Sequence, residues 1–225
     1  MQFAFIGIVI VVGIVIALAS YFTSAAYRIR KQLREAVRRP IGELGPGMAA
    51  KVIGRVVPVE TGLLQAPLSG RPCVFYEAVV EEHVSSGRSS HWVERIRESN
   101  RVDFALDDST GVVRVSSREQ MDYLAERDSE QRSGTFNDAA PHLEAFLARH
   151  GMKSQGWVFN KSLRYREGVF EPGEAVAVVG VVEHEDDPDG SAEAQGYRAT
   201  ARRAVLKAPA GGALVASDEK GITLA

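Results

Sequence analysis

From residue 3 to residue 22 the chain reads FAFIGIVIVVGIVIALASYF, and none of the first 27 residues carries a charged side chain. At about 1.5 Å per residue, roughly 20 helical residues cover the ~30 Å hydrocarbon core of a bilayer. The stretch therefore predicts a transmembrane α-helix over residues 1–23. A cleaved signal peptide is the competing reading. Such a peptide opens with cationic residues and carries an apolar core of roughly 7–15 residues. Here no Lys or Arg precedes the apolar run, and the cations come after it. An uncleaved anchor is the expectation.

The residues just past the anchor set its orientation. Arg28, Arg30, Lys31, Arg34, Arg38 and Arg39 are opposed only by Glu35, and cations within about 20 residues of a span stay on the cytoplasmic side. The expected location is the cell membrane, single-pass, with the N-terminus outside and the rest cytoplasmic. The same six cations suit anionic lipid headgroups, at about 1 kcal/mol each near the surface. Ile29, Leu33 and Val37 recur four apart, so residues 24–40 read as a basic helical neck ending at Pro40. A neck lying against headgroups and a solvated stalk both fit this pattern.

Residues 41–225 hold 21 of the 27 cationic and 28 of the 29 acidic side chains, a formal charge of −7. Nucleic acid, whose binding draws on phosphate neutralisation, is a disfavoured partner for such a body. The lone Cys73 excludes an intramolecular disulfide framework and any multi-cysteine zinc site, and reads as a small buried hydrophobe. The length suits one β-rich domain over 41–217 with a short tail over 218–225.

Within that domain, residues 41–48 (IGELGPGM) read as a hinge. Residues 50–59 and 73–82 are rich in β-branched and aromatic side chains and read as strands, with a turn around Pro67, Gly70 and Pro72 between them. The tip SSGRSS at 85–90 makes a hairpin of 73–82 with 91–98. Residues 102–106 and 112–115 flank the turn DDSTG, whose Asp107, Asp108 and Thr110 are placed to bond nearby backbone N–H groups. The charged stretch 117–135 offers a helical turn near 121–125 and then a loop. PHLEAFLARH at 141–150 reads as a helix, with proline in its first turn and Gly151 after its end. Residues 163–169 and 175–183 around EPGE read as another hairpin. The acidic stretch 183–196 reads as a loop, and 198–208 and 213–217 supply the last strands. Gly54 and Gly180 each interrupt a β-branched run, as glycines do at tight bends of small closed barrels. The expected fold is thus an N-terminal transmembrane α-helix plus a mainly β (α+β) soluble domain, an OB-like small barrel with one inserted helix.

No residue constellation predicts catalysis, a cofactor or a metal. His83 and His91 flank the tip without a third ligand. His184 beside Glu185, Asp186, Asp187 and Asp189 lacks a calcium-loop spacing. Ser85, Ser86, Ser89 and Ser90 have no serine-elbow context. Phe75, Tyr76, Trp92 and Phe104 fit either a stacking platform for single strands or core packing, and Trp157 and Phe159 fit either a cap on the barrel or a partner site.

Three segments, LLQAPLSGRPCVFYEAVVEE (63–82), FALDDSTGVVRV (104–115) and YREGVFEPGEAVAVVGVVE (165–183), together resemble the GIDE domain, also called the beside-a-membrane (BAM) domain, in that family's order. The resemblance spans residues 45–217. It implies kinship with mitochondrial membrane-anchored ubiquitin or SUMO ligases, in which the domain lies between two transmembrane helices and a RING finger comes after it. A RING needs eight closely spaced Cys or His ligands, whereas this chain has Cys73 and five scattered histidines, so ligase activity does not carry over. No second apolar span comes after the domain, which predicts tethering at one end. The relatives' domain lies in the intermembrane space, whereas the charges beside this anchor favour the cytoplasm. The expected function is a non-catalytic, membrane-anchored interaction module with an unidentified protein partner, in membrane or envelope stress. The alternatives are an accessory to a modification system whose chemistry another chain supplies, and an OB-type nucleic-acid binder.

Overall fold

The computed structural model describes residues 25–59, 62–87, 89–133, 140–154, 161–186 and 202–224. The expected anchor over 1–23 lies outside the described residues, as do Trp157, Phe159, Asp187, Asp189 and residues 198–201. Among the described residues no helix is long and apolar enough to cross a membrane.

The domain is mainly β and is built on a closed, mixed five-strand barrel. Its strands are β1 (Ala49–Pro58), β6 (Phe104–Asp107), β7 (Val112–Val115), β11 (Ala175–Asp186) and β12 (Arg202–Lys207). They run β1-β6-β7-β12-β11, and β11 returns to β1. Only the β7–β12 pair is parallel; β1 closes the barrel by pairing antiparallel with β11 from Ala49↔Val181 to Arg55↔Ala175. Alternate residues of each strand point inward, so Val52, Val56, Phe104, Leu106, Val113, Val176, Val178 and Leu206 fill one dry core. Two further strands, β8 (Met121–Leu124) and β13 (Leu214–Ser217), extend the sheet alongside β11.

The two glycines singled out in β-branched runs lie on the strands that close the barrel. A Cβ on Gly54 would stand 3.0 Å from the Asp107 carbonyl oxygen, and one on Gly180 would meet Leu214 Cδ2 at 2.6 Å and the Lys207 carbonyl oxygen at 2.9 Å. Any larger residue would force the neighbouring strands apart.

A second, antiparallel sheet is ordered β5 (Ser89–Arg101), β4 (Phe75–Ser86), β10 (Leu163–Phe170), β9 (Ser129–Ser133). One face is covered by α2 (Pro141–Arg149), whose Leu143, Phe146 and Leu147 pack on Tyr76, Ala78, Val80, Ile96 and Tyr165. A short pair, β2 (Leu64–Gln65) and β3 (Pro72–Cys73), borders that core, where Cys73 is fully buried and free. Phe75 and Phe170 cross from this sheet into the barrel core, with ring centroids 4.7 Å apart, and Tyr123 stacks 4.6 Å from Phe75.

The neck neither stands free nor reaches Pro40 as a helix. Helix α1 covers 25–35, after which Val37 and Arg39 bond along β1 through Lys51 N–H to the Val37 carbonyl (2.9 Å) and Arg39 N–H to the Lys51 carbonyl (3.0 Å). Its Leu33 is wholly buried against Ile53, Ala177 and Val215 on the outer face of the barrel, beside Ile222. Covering that outer face explains why β1 and β11 are apolar on both sides rather than alternating. Ile222 belongs to α3 (Lys220–Thr223), so the stretch expected as a tail is packed into the body.

Other expectations need correction. The hinge at 41–48 is strapped down: a 3-10 turn, Ile41–Glu43, buries Ile41 and Leu44 in the barrel core, and Ile41 N–H donates to Asp108 Oδ2 at 2.8 Å. The helical turn at 121–125 is strand β8, and the loop after it is strand β9. Both pair on one side only, and such edge strands tolerate the charged residues that hid them. Strands β10 and β11 are not a hairpin. The EPGE turn, with Gly173 at φ +84°, is a corner between sheets, because β11, apolar on both faces, is covered on both only in the barrel wall. Glu183, His184, Glu185 and Asp186 extend β11 instead of opening a loop.

Candidate functional site: a cleft at the root of the neck

The sheet that α2 covers on one side is open on the other. That open face carries Glu77, Glu81, Glu94, Arg97, Arg164 and Arg166, alternating with the residues that meet α2. In β5 a bulge beside Arg95 restores this alternation: the register shifts at Val80/Glu81, so Arg95 bonds Glu82 while Glu94 and Arg97 share the open face. Between this face, the start of α1 and the segment 124–128 lies a cleft of about 860 Å³. Ala25 and Ala26, in its wall, are the lining residues nearest in sequence to the apolar N-terminal run.

The charges around the cleft are mostly held. Arg30 binds Glu219 through two hydrogen bonds, Nε to Oε2 at 2.9 Å and Nη2 to Oε1 at 2.7 Å, which raises its pKa. Arg97 reaches Glu94 (Nε to Oε1, 3.0 Å) and Glu77, and Tyr123 donates to Glu77 at 3.1 Å. Arg164 donates to Glu81 at 2.7 Å and lies over the Trp92 ring, 4.4 Å from its centroid. Arg166 shares Glu81; burial lowers its pKa, and its Nε has no partner among the described residues. Arg127 is exposed and enters no ion pair or hydrogen bond within the described residues.

Behind the cleft, Asp218 accepts the Glu126 N–H at 2.6 Å and so ties the 124–128 segment to the end of the barrel. Burial, with Glu174 and Asp128 nearby, pushes the Asp218 carboxyl up to about 7. Glu167 is also fully buried, but its carboxylate turns to the other side and accepts the Leu68 N–H at 2.7 Å.

The residues singled out in the sequence mostly fall elsewhere. Asp107 and Asp108 do brace their turn, accepting the N–H groups of Ser109 and Thr110 at 2.7 and 2.9 Å. His83 does not face His91: it pairs with Trp92, ring centroids 5.0 Å apart, while His91 stands opposite Val84. The four tip serines are exposed on the β4–β5 hairpin, turned by Gly87 at φ +57°. Phe75, Tyr76 and Phe104 are buried in two different cores, so they form no stacking platform with Trp92. His184 lies within β11, opposite Ala204. Burial and the Glu167 charge push the Cys73 thiol up to about 12, leaving it un-ionised. No group of three or more His, Cys, Asp or Glu among the described residues is placed to hold a metal.

Of the six neck cations, Arg30 is turned inward to Glu219, Lys31 lies 3.9 Å from Glu35, and Arg28 and Arg34 are exposed. Arg38 and Arg39 lie past the helix, beside β1. The sequence pattern did not reveal Arg97, Arg127 and Arg166 as a group. They come from a strand, a loop and another strand, and only the β4–β10 and β4–β5 registers bring their surroundings together. Comparison with family models, with curated proteins and with solved structures returns no match.

Proposed function

We propose that this chain is a membrane-anchored, non-catalytic interaction module that presents its β domain at the cytoplasmic face of a bilayer. The observation that carries the reading is the neck: the first described helix comes directly after the apolar run and is packed into the domain through Leu33 and Arg30. An anchor continued into such a neck is a bracket rather than a leash. We read the barrel as OB-like, because its five strands in chain order stand 1-2-3-5-4 with the third and fifth parallel, and α2 lies between the third and fourth. The likeness to the GIDE domain supports the same reading. Nucleic-acid binding is the weaker alternative: the body carries net negative charge, and three of the four candidate stacking rings are buried.

Alkaline carbonate extraction tests the anchor. The full chain stays in the membrane pellet and a chain beginning at residue 25 is soluble and folded; release of the full chain into the wash refutes the reading. A reporter fused to the C-terminus that is active only in an exported compartment overturns the cytoplasmic placement. Crosslinking the membrane-embedded protein then identifies the partner.

A further inference from the structure

We propose that the cleft at the root of the neck binds the phosphodiester headgroup of an anionic phospholipid from the adjoining leaflet, an inference that rests on the membrane-anchor reading above. Position is the first support. Ala25, in the cleft wall, is three residues from Phe22, and three residues span at most about 11 Å in any conformation. If Phe22 lies at the edge of the hydrocarbon core, the cleft opens at headgroup level.

Charge is the second. Of the arginines lining the cleft, Arg30, Arg97 and Arg166 are paired with Glu219, with Glu77 and Glu94, and with Glu81, whereas Arg127 enters no ion pair among the described residues and so has its charge available for a phosphodiester. The unused donors are the third support: the whole guanidinium of Arg127 is exposed at the cleft. Arg30 and Arg97 are meanwhile held in fixed directions by their carboxylates. Guanidinium groups in a planar, oriented array suit phosphate oxygens, which accept two parallel N–H bonds at once. The volume, about 860 Å³, lies in the range of ligand-sized clefts, about 300–1,000 Å³.

The test uses the full chain in detergent, incubated with phosphatidylglycerol, phosphatidylcholine or inorganic phosphate and read by native mass spectrometry. Phosphatidylglycerol is retained at one per chain in preference to phosphatidylcholine, and Arg127→Gln lowers that retention about fivefold, the worth of one cation near an anionic surface. Arg118→Gln, which removes an exposed cation outside both the cleft and the neck, leaves retention unchanged. Equal retention by Arg127→Gln and the parent, an equal loss in Arg118→Gln, or no preference for the anionic lipid overturns the proposal. Displacement of the lipid by an equal concentration of inorganic phosphate overturns the lipid as ligand. Carbonate extraction of the membranes from which the chain is solubilised separates the two levels: a chain that washes off sinks the anchor, and one that stays embedded without headgroup preference sinks only the cleft.

Discussion

The barrel and the four-stranded sheet bury similar side chains but treat their second faces differently. Outside the barrel wall, β1 and β11 are covered by α1 and α3, so Ile53, Ala177 and Val215 are buried there too. Behind the four-stranded sheet nothing comparable among the described residues covers the face opposite α2, and the chain places interlocked carboxylates and guanidiniums on it. Ion pairs on this face add little net stability, the exposed Arg97–Glu94 pair through solvent screening and the largely buried Arg164, Arg166 and Glu81 because desolvation offsets their attraction. The difference teaches that the apolar cores, and not this charged face, carry the folding free energy.

Stability measured by urea unfolding of a chain beginning at residue 25 can break that contrast. Phe104→Ala, in the barrel core, costs about 3–5 kcal/mol; a loss below about 1 kcal/mol would mean the barrel core is not the keystone. Leu33→Ala costs about 3–4 kcal/mol if the neck is as firmly packed as the wall it covers, and an unchanged midpoint would make α1 a loose stalk. Asp218 joins the two regions and reads out through pH. Its carboxyl titrates near 3.8 when unfolded and is pushed up to about 7 by burial when folded. Between those values the folded state keeps a proton that the unfolded state has released, so stability falls as pH rises from about 4 to about 7 and is flat above. Asp218→Asn, which can still accept the Glu126 N–H, removes that fall, about 4 kcal/mol; an identical pH profile in the variant would assign the dependence elsewhere. The smallest effect belongs to the open face, where Arg97→Ala costs less than about 1 kcal/mol. A loss as large as that of Phe104→Ala would erase the distinction between the two regions.

Patterns internal to one strand were legible in the sequence. The alternation around DDSTG yields β6 and β7 directly, the proline and glycine bounding PHLEAFLARH mark α2, and the glycine-interrupted runs identify the strands that close the barrel. Strands β8 and β9 were missed because an edge strand needs only one apolar or hydrogen-bonded side, and MDYL and SEQRS carry no period strong enough to declare it. The corner at Gly173 read as a hairpin because a tight turn looks the same whether the strands after it pair or part. Nothing in the neck's own spacing told whether Leu33 meets lipid, water or protein; its burial depends on β1 and β11 being apolar outward, a property of the pairing partner. The cleft was illegible for the same reason: its arginines are separated by dozens of residues and meet only through the registers of β4 with β5 and β10 and the packing of α1 and the 124–128 segment beside them.

The order in which the chain visits its two sheets has a kinetic corollary. It leaves the barrel after β1, returns at β6, leaves again after β8 and comes back at β11, so no single cut frees either sheet with its strands complete. The closing ladder joins Ala49 to Val181 across nearly the whole domain, a loop that must shut before its contacts can form. Refolding should therefore be slow and all-or-none, with strand edges left unpaired until the ring is shut.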